Sequence, residues 1–204
     1  MTVNPTRTDI VGISFHEDPP AGLGRSTAED KHCCFVGMAR EKPPFYVPAQ
    51  NISCPLARFH LGIDKPDIRD LAKTLVRWSD ALNEQIGAEF LTTAYRLDRP
   101  YNYIAYFGHP TSGLRADVVI TICNARGAQR MVQRYSSATG ERVNSPVSGI
   151  GAACGGCTAY VLQKQTPTVS VGCNGSRPGL NLTEDQLLLA APSDSLMAKL
   201  MMGG

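Results

Sequence analysis

The residues best suited to chemistry in this chain are its seven cysteines. Most stand beside glycine, proline or another cysteine: His32-Cys33-Cys34, Asn51-Ile52-Ser53-Cys54-Pro55, Cys154-Gly155-Gly156-Cys157 and Gly172-Cys173-Asn174-Gly175. Such neighbours predict thiols on turns and helix starts rather than in an apolar core. There, exposed backbone N–H groups stabilise the thiolate, the form that binds metal or attacks a disulfide. Cys123 differs, because it follows the apolar run Val118-Val119-Ile120-Thr121-Ile122 and reads as buried.

Cys154-Gly155-Gly156-Cys157 is the sharpest local motif. Two residues between thiols let both sulfurs reach one metal ion or close a small ring, and a helix starting there would lower the pKa of the first. The motif fits a redox dithiol, half of a zinc site or part of an iron-sulfur site; the structural alternative is two small residues packed beside glycines. No second Cys-x-x-Cys completes a zinc site. Adjacent Cys33 and Cys34 do not readily place both sulfurs on one ion, so at most one of them serves as a ligand. One of that pair, with Cys54, Cys154 and Cys173, could converge from separate loops on a four-thiolate site. Thiolate suits iron-sulfur clusters and zinc alike.

The loop Val171–Gly179 is rich in backbone. Asn174-Gly175 predicts positive φ, which would turn successive N–H groups toward Cys173 as a nest for an anion or a cluster sulfide, with Arg177 adding positive charge. A plain hairpin turn with a solvated Arg177 explains the same residues equally well. Among the histidines, His32 and His60 are better placed as ligands than His16 and His109, yet a lone loop histidine is more often solvated than metal-bound. The chain has no nucleophile elbow with a Ser/His/Asp set, no Gly-x-Gly-x-x-Gly and no P-loop, so nucleotide cofactors find no support.

These residues must be held by a fold that 204 residues can build around one well-filled core, a single domain over 1–204. The net charge is +2, and the Lys and Arg residues are scattered rather than clustered in a run that would track a phosphate backbone, which argues against nucleic acid. The N-terminus lacks an apolar signal region and no segment approaches a spanning helix, so a cytoplasmic location away from membranes is expected. In that compartment thiols stay reduced and a disulfide framework is not expected.

Strands are predicted at residues 9–15, 45–47, 101–107, 117–122, 143–150, 168–171 and 187–190. Short helices are predicted at 33–39, from Pro55, from about 125 to 136 with Gly140 as its stop, after Cys157 to about Gln165, and after Pro192. The clearest helix runs from Asp67 to about Gly87. Its buried stripe is Ile68, Leu71, Leu75, Trp78, Leu82 and Ile86, its N-cap Asp64, and its water-facing side Lys73, Arg77 and Asp80. Interspersed helices and strands give an α+β class with a central sheet flanked by helices.

Several stretches in order, Asn51–Ala57, Leu61-Gly62, Cys154, Val169–Arg177 and Asp185-Gln186-Leu187 leading to Pro192, resemble the uncharacterised prokaryotic domain-of-unknown-function family numbered 169 over nearly the whole chain. The resemblance implies a cysteine at Cys33 or Cys34 ahead of Ala39, and further ones at Cys54, Cys154 and Cys173. Cys157 is less typical, which favours a four-cysteine site over the dithiol. Frequent occurrence in anaerobes fits an oxygen-sensitive cluster. Asn174 departs from the aromatic residue that relatives often carry there. The leading expectation is therefore a four-iron, four-sulfur protein acting in electron transfer or in redox chemistry on a small or sulfur-containing molecule, with Arg177, Asn174 and Gly175 tuning the group. Zinc, or a thiol oxidoreductase using Cys154 and Cys157, is the alternative. A small molecule or a redox protein would be the partner.

Overall fold

The computed structural model describes residues 9–78, 83–108 and 114–203. Within them the strands β1 (Ile10–His16), β2 (Gly24–Arg25), β3 (Phe45–Pro48), β4 (Tyr103–Gly108), β5 (Val118–Asn124), β6 (Thr168–Ser170) and β7 (Gln186–Pro192) form one seven-stranded sheet, ordered β2-β3-β4-β1-β5-β7-β6. Only the short β2–β3 pair is parallel. The molecule is an α+β domain with a mixed sheet flanked by helices on both faces.

Alternation along the strands assigns side chains to two cores. Val11, Ile13, Ile104, Tyr106, Val118, Ile120 and Leu188 point to one side, where they meet α1 (His32–Ala39), α2 (Pro55–His60), α6 (Tyr160–Lys164) and a π-helical segment at Ala152–Ala159. Ile10, Phe107, Val119, Leu189 and Ala191 point to the other, under α5 (Ala125–Thr139) and α8 (Leu196–Met201). Gly12 is required on that second side, because a Cβ there would sit 2.3 Å from the ring of Phe107 on the neighbouring strand.

α5 is the regular element that its sequence predicts. Asn124 caps its start by accepting from Gly127 N–H at 2.8 Å, and Gly140 ends it at φ 75°. The predicted helix over 67–87 is instead two: α3 (Ile68–Trp78) and α4 (Glu84–Thr93). Asn83 starts the second by accepting from Ile86 N–H, and Gly87 lies inside α4, where the missing side chain lets the helix cross close to Ala72. Trp78 and Ile86 accordingly leave the stripe and are each 45% exposed. Lys73 and Arg77 do face water, whereas Asp80 and Leu82 lie outside the described residues. Asp64 is not the cap of α3; that role falls to Asp67, which accepts from Arg69 N–H at 2.7 Å. Asp64 instead takes both arms of Arg58, at 2.5 and 2.7 Å.

The predicted strand over 143–150 is absent. Pro146 has no N–H to give a ladder, and the stretch is fastened by side chains instead: Tyr160 Oη donates to Asn144 O and Ser145 Oγ accepts from Val169 N–H.

Candidate functional site

Six cysteines gather on one side of the sheet. Cys33, Cys154 and Cys157 belong to the core beneath α1 and the π-helical segment, while Cys34 and Cys54 pack against it. Cys123 lies in the opposite core, as its apolar run predicts. Placement of Cys33, Cys154 and Cys157 at 8%, 7% and 0% exposure corrects the expectation of thiols on exposed turns. Small glycine neighbours here serve close packing rather than solvent access.

Each thiol is delivered by its own element. α1 presents Cys33 and Cys34. The loop before α2 presents Cys54, and it is locked by Arg58, which donates to the carbonyls of Gln50 and Ile52 at 3.1 Å each. Asp30 ties these two deliveries together: its N–H donates to Asn51 O at 3.1 Å and Ser53 N–H donates to its carbonyl at 2.9 Å. Cys173 leads into the short helix α7 (Ser176–Gly179), whose chain presses on α1. Gly37 and Gly179 make this approach possible, since a Cβ on Gly37 would lie 2.4 Å from Gly179 O and one on Gly179 would lie 3.0 and 3.1 Å from the sulfurs of Cys33 and Cys34.

Cys154 sits in the π-helical segment, which begins at Ala152, before both cysteines, with Gly151 as its left-handed lead-in at φ 58°. Cys154 is thus the third residue of that segment, in the first turn of a helix as its motif predicts, but this position does not leave the thiol acidic. Burial raises the Cys154 pKa well above the ordinary thiol value, and the nearby thiols of Cys54, Cys173 and Cys33 add to it, against the opposing help of Gly155 N–H. Cys157 is wholly buried and pushed up to about 12, first by burial and then by Cys173. These features count against a reactive dithiol.

The electrostatics identify which thiols share a neighbourhood. Burial pushes Cys33 up, followed by the charges of Cys34, Cys173 and Cys54. Burial also raises Cys54, with a further push from Cys173, while the N–H groups of Ala57 and Leu56 pull it down. Cys33, Cys54, Cys154 and Cys173 therefore lie within one another's field. Cys34 touches that set through Cys33, with which it hydrogen-bonds, but it is raised by burial and then by Asp30. Cys33 and Cys34, indistinguishable by sequence, thus have different surroundings. Thiolates in such a group repel one another, and a bound cationic centre would relieve both the repulsion and the burial penalty.

Backbone donors already face the sulfurs. Ser176 N–H donates to Cys173 Sγ at 3.3 Å while Cys173 N–H donates to Ser176 Oγ at 2.8 Å, and the Cys33 thiol donates to Gly175 O at 3.3 Å. Among the described residues, no group of three or more His, Cys, Asp and Glu side chains stands at the arrangement that would hold a metal ion. A single zinc takes sulfur at about 2.3 Å, so its thiolates must close together.

The glycine-rich loop behaves differently from its prediction. Gly175 has φ −88° and Asn174 is not in the left-handed region; Gly172 takes that role at φ 86°. Asn174 Nδ2 donates to Trp78 O at 3.0 Å. Arg177 donates to the carbonyls of Val171, Thr183 and Gln186, so its guanidinium braces the loop against β7. Beside Cys173 opens a cleft of about 360 Å³, walled by Leu56, Leu75, Trp78, Ile150 and Asn174.

Two histidines support this side of the molecule. His32 is 1% exposed and uses both nitrogens: Thr158 Oγ1 donates to Ala153 O at 2.8 Å, so it accepts from His32 Nε2–H at 3.1 Å, and Nδ1 accepts from Tyr106 Oη at 2.8 Å. This relay stitches α1 to β4 and to the segment bearing Cys154, and burial holds the imidazole neutral with its pKa down to about 3. His60, at the far end of the helix that Cys54 begins, donates from Nδ1 to Tyr95 O at 2.6 Å. His16 Nε2 pairs with Ser14 Oγ at 2.7 Å, and His109 lies outside the described residues. Sequence reasoning missed the His32 relay, because its partners stand 74 and 126 residues away.

No helix among the described residues is long and apolar enough to cross a membrane. The chain is similar to an uncharacterized protein of Methanocaldococcus jannaschii, 23% identical over 183 residues, which covers 88% of this chain and 78% of the relative. No solved structure matches it significantly. The family profile described as "Uncharacterised ArCR" matches residues 5–200, and the chain belongs to that family, the domain-of-unknown-function family 169.

Proposed function

We propose that this protein carries a four-iron, four-sulfur cluster on Cys33, Cys54, Cys154 and Cys173 and works in electron transfer or in redox chemistry on a small molecule. The observation that carries the reading is the shared field of these thiols, delivered by separate elements to one side of the sheet, against the isolation of Cys123 on the other.

The protein's own contribution is readable. N–H groups of Ser176, Leu56, Ala57 and Gly155 favour the thiolates they approach, and donors of that kind tune a cluster's potential. Burial of Cys33 and Cys154 excludes water from one side, and the cleft beside Cys173 gives a small molecule a way in. Bound iron-sulfur would supply one-electron chemistry; where an iron lacks a protein thiolate it would also supply a Lewis acid.

Purification without oxygen, followed by iron and acid-labile sulfide analysis, tests the reading. A brown protein whose broad visible absorbance bleaches with dithionite is expected. A colourless protein with stoichiometric zinc would overturn it in favour of a zinc-binding module.

A further inference from the structure

Within the candidate set of thiols, Cys173 lines a cleft of ligand size, while Cys33 and Cys154 are buried. The cleft measures about 360 Å³, near the lower end of the roughly 300–1,000 Å³ typical of small-molecule sites. Leu56 of α2, Leu75 and Trp78 of α3, and Ile150 supply its apolar lining. Its polar side chains are already committed: Asn174 Nδ2 donates to Trp78 O at 3.0 Å, which ties α3 to the Cys173 loop, and Ser148 Oγ donates to Ile150 O at 2.9 Å. No described side chain that lines the cleft is charged.

Two observations mark this space as kept open. Trp78, the single tryptophan of the chain, remains 45% exposed, although an indole gains much from being covered. Gly175, which also lines the cleft, stands at φ −88° and ψ −39°, a conformation open to any residue, and a Cβ there would meet nothing within 4 Å. Neither the backbone nor close packing therefore requires glycine at this position. What a side chain there would cost is the cleft.

We infer that the cleft takes an uncharged, largely apolar molecule of ring size, which lies against Trp78 and touches the thiol set at Cys173. The leucines and the indole favour its body. An ion would shed its water here without gaining a partner of opposite charge, so charged molecules are rejected. That this molecule is the substrate of a redox centre rests on the cluster reading; its binding does not.

Benzyl alcohol, benzoate and benzylammonium, close in size and differing in charge, are the probes. Each is titrated into the full-length protein purified without oxygen and followed by the Trp78 indole N–H resonance, which a single tryptophan makes unambiguous. Benzyl alcohol should shift it saturably and bind at least about tenfold more tightly than either ion. Gly175→Leu should abolish that binding while unfolding at no lower urea concentration than the parent, because its side chain enters open space. In iron-loaded protein, benzyl alcohol should also change the visible circular dichroism with the same midpoint, since it abuts Cys173. No saturable shift, equal affinity for an ion, undiminished binding in Gly175→Leu or an unmoved cluster spectrum would each overturn the inference. Charge-selective, saturable binding by protein that holds no iron would instead sink the cluster reading and uphold the site.

Discussion

The two faces of the sheet are built by opposite rules. Beneath α5 and α8 the helices are regular, α5 carries an Asn cap and a Gly stop, and the one thiol, Cys123, stands alone. Across the sheet the chain takes a π-helical turn, places Gly151 and Gly172 at positive φ, buries two imidazoles and crowds its thiols. Segments of π-helix are rare and cluster at functional sites, and irregular geometry persists only where surrounding structure holds it. The contrast sets a regularly built face against the irregular face that carries the candidate site.

The largest expected effect breaks this contrast directly. Cys154→Ser should lower the iron retained after anaerobic purification by more than about tenfold, because loss of a ligand must cost at least what loss of its outer partners does. Cys123→Ala, a change of similar size on the other face, should leave iron content and visible spectrum intact. Iron loss from both variants alike would mean that the faces do not divide the labour.

Next comes the polar relay that holds the face of the candidate site. His32→Ala strips Tyr106 Oη and Thr158 Oγ1 of their buried partner and leaves a void, so about 3 kcal/mol of stability should go, read from the midpoint of urea unfolding. Cluster content should fall with it, since the same relay anchors the segment bearing Cys154.

A smaller effect concerns pH on the stabilising face. Cys123 titrates at about 11 when folded, raised by burial and then by Asp9, against an ordinary 9.0. A raised folded pKa means that the unfolded chain sheds its proton first, so this contribution is complete below pH 9 and is lost as pH climbs toward 11. Cys123→Ala should flatten the alkaline decline of stability over that window by about 1 to 2 kcal/mol, measured by chemical unfolding at fixed pH steps.

Local signals carried most of the architecture. The β-branched run before Cys123, the alternation in β1, Pro55 at the first turn of α2 and Gly140 after α5 all act through nearest neighbours, and the elements they predict are the ones found. Where one local pattern can serve two arrangements, it misleads. The three-and-four spacing of Ile68 through Ile86 continues across a break that Asn83 re-caps, and β-branched residues near Pro146 read as a strand that side-chain bonds hold in a loop. The site was legible as a set of residue types and not as an arrangement. Cys33 and Cys34 differ only in what α7 and Asp30 bring to each. Gly175 was predicted to adopt the left-handed turn that Gly172 in fact makes, because the extended strand β6 ends just before it. Arg177 reads as a free charge until the carbonyls of Val171, Thr183 and Gln186 are seen around it.

The strand order has a consequence for how the molecule is made. β7, which follows every cysteine in the sequence, inserts between β5 and β6, and its Leu188 and Ala190 complete the core in which Cys154 and Cys33 lie. Contacts this distant in sequence form late, after the entropy of closing a long loop has been met. The pocket of thiols therefore closes only when β7 docks. Until then those cysteines are only scattered points along the chain, so any group they enclose must be loaded after β7 has been made.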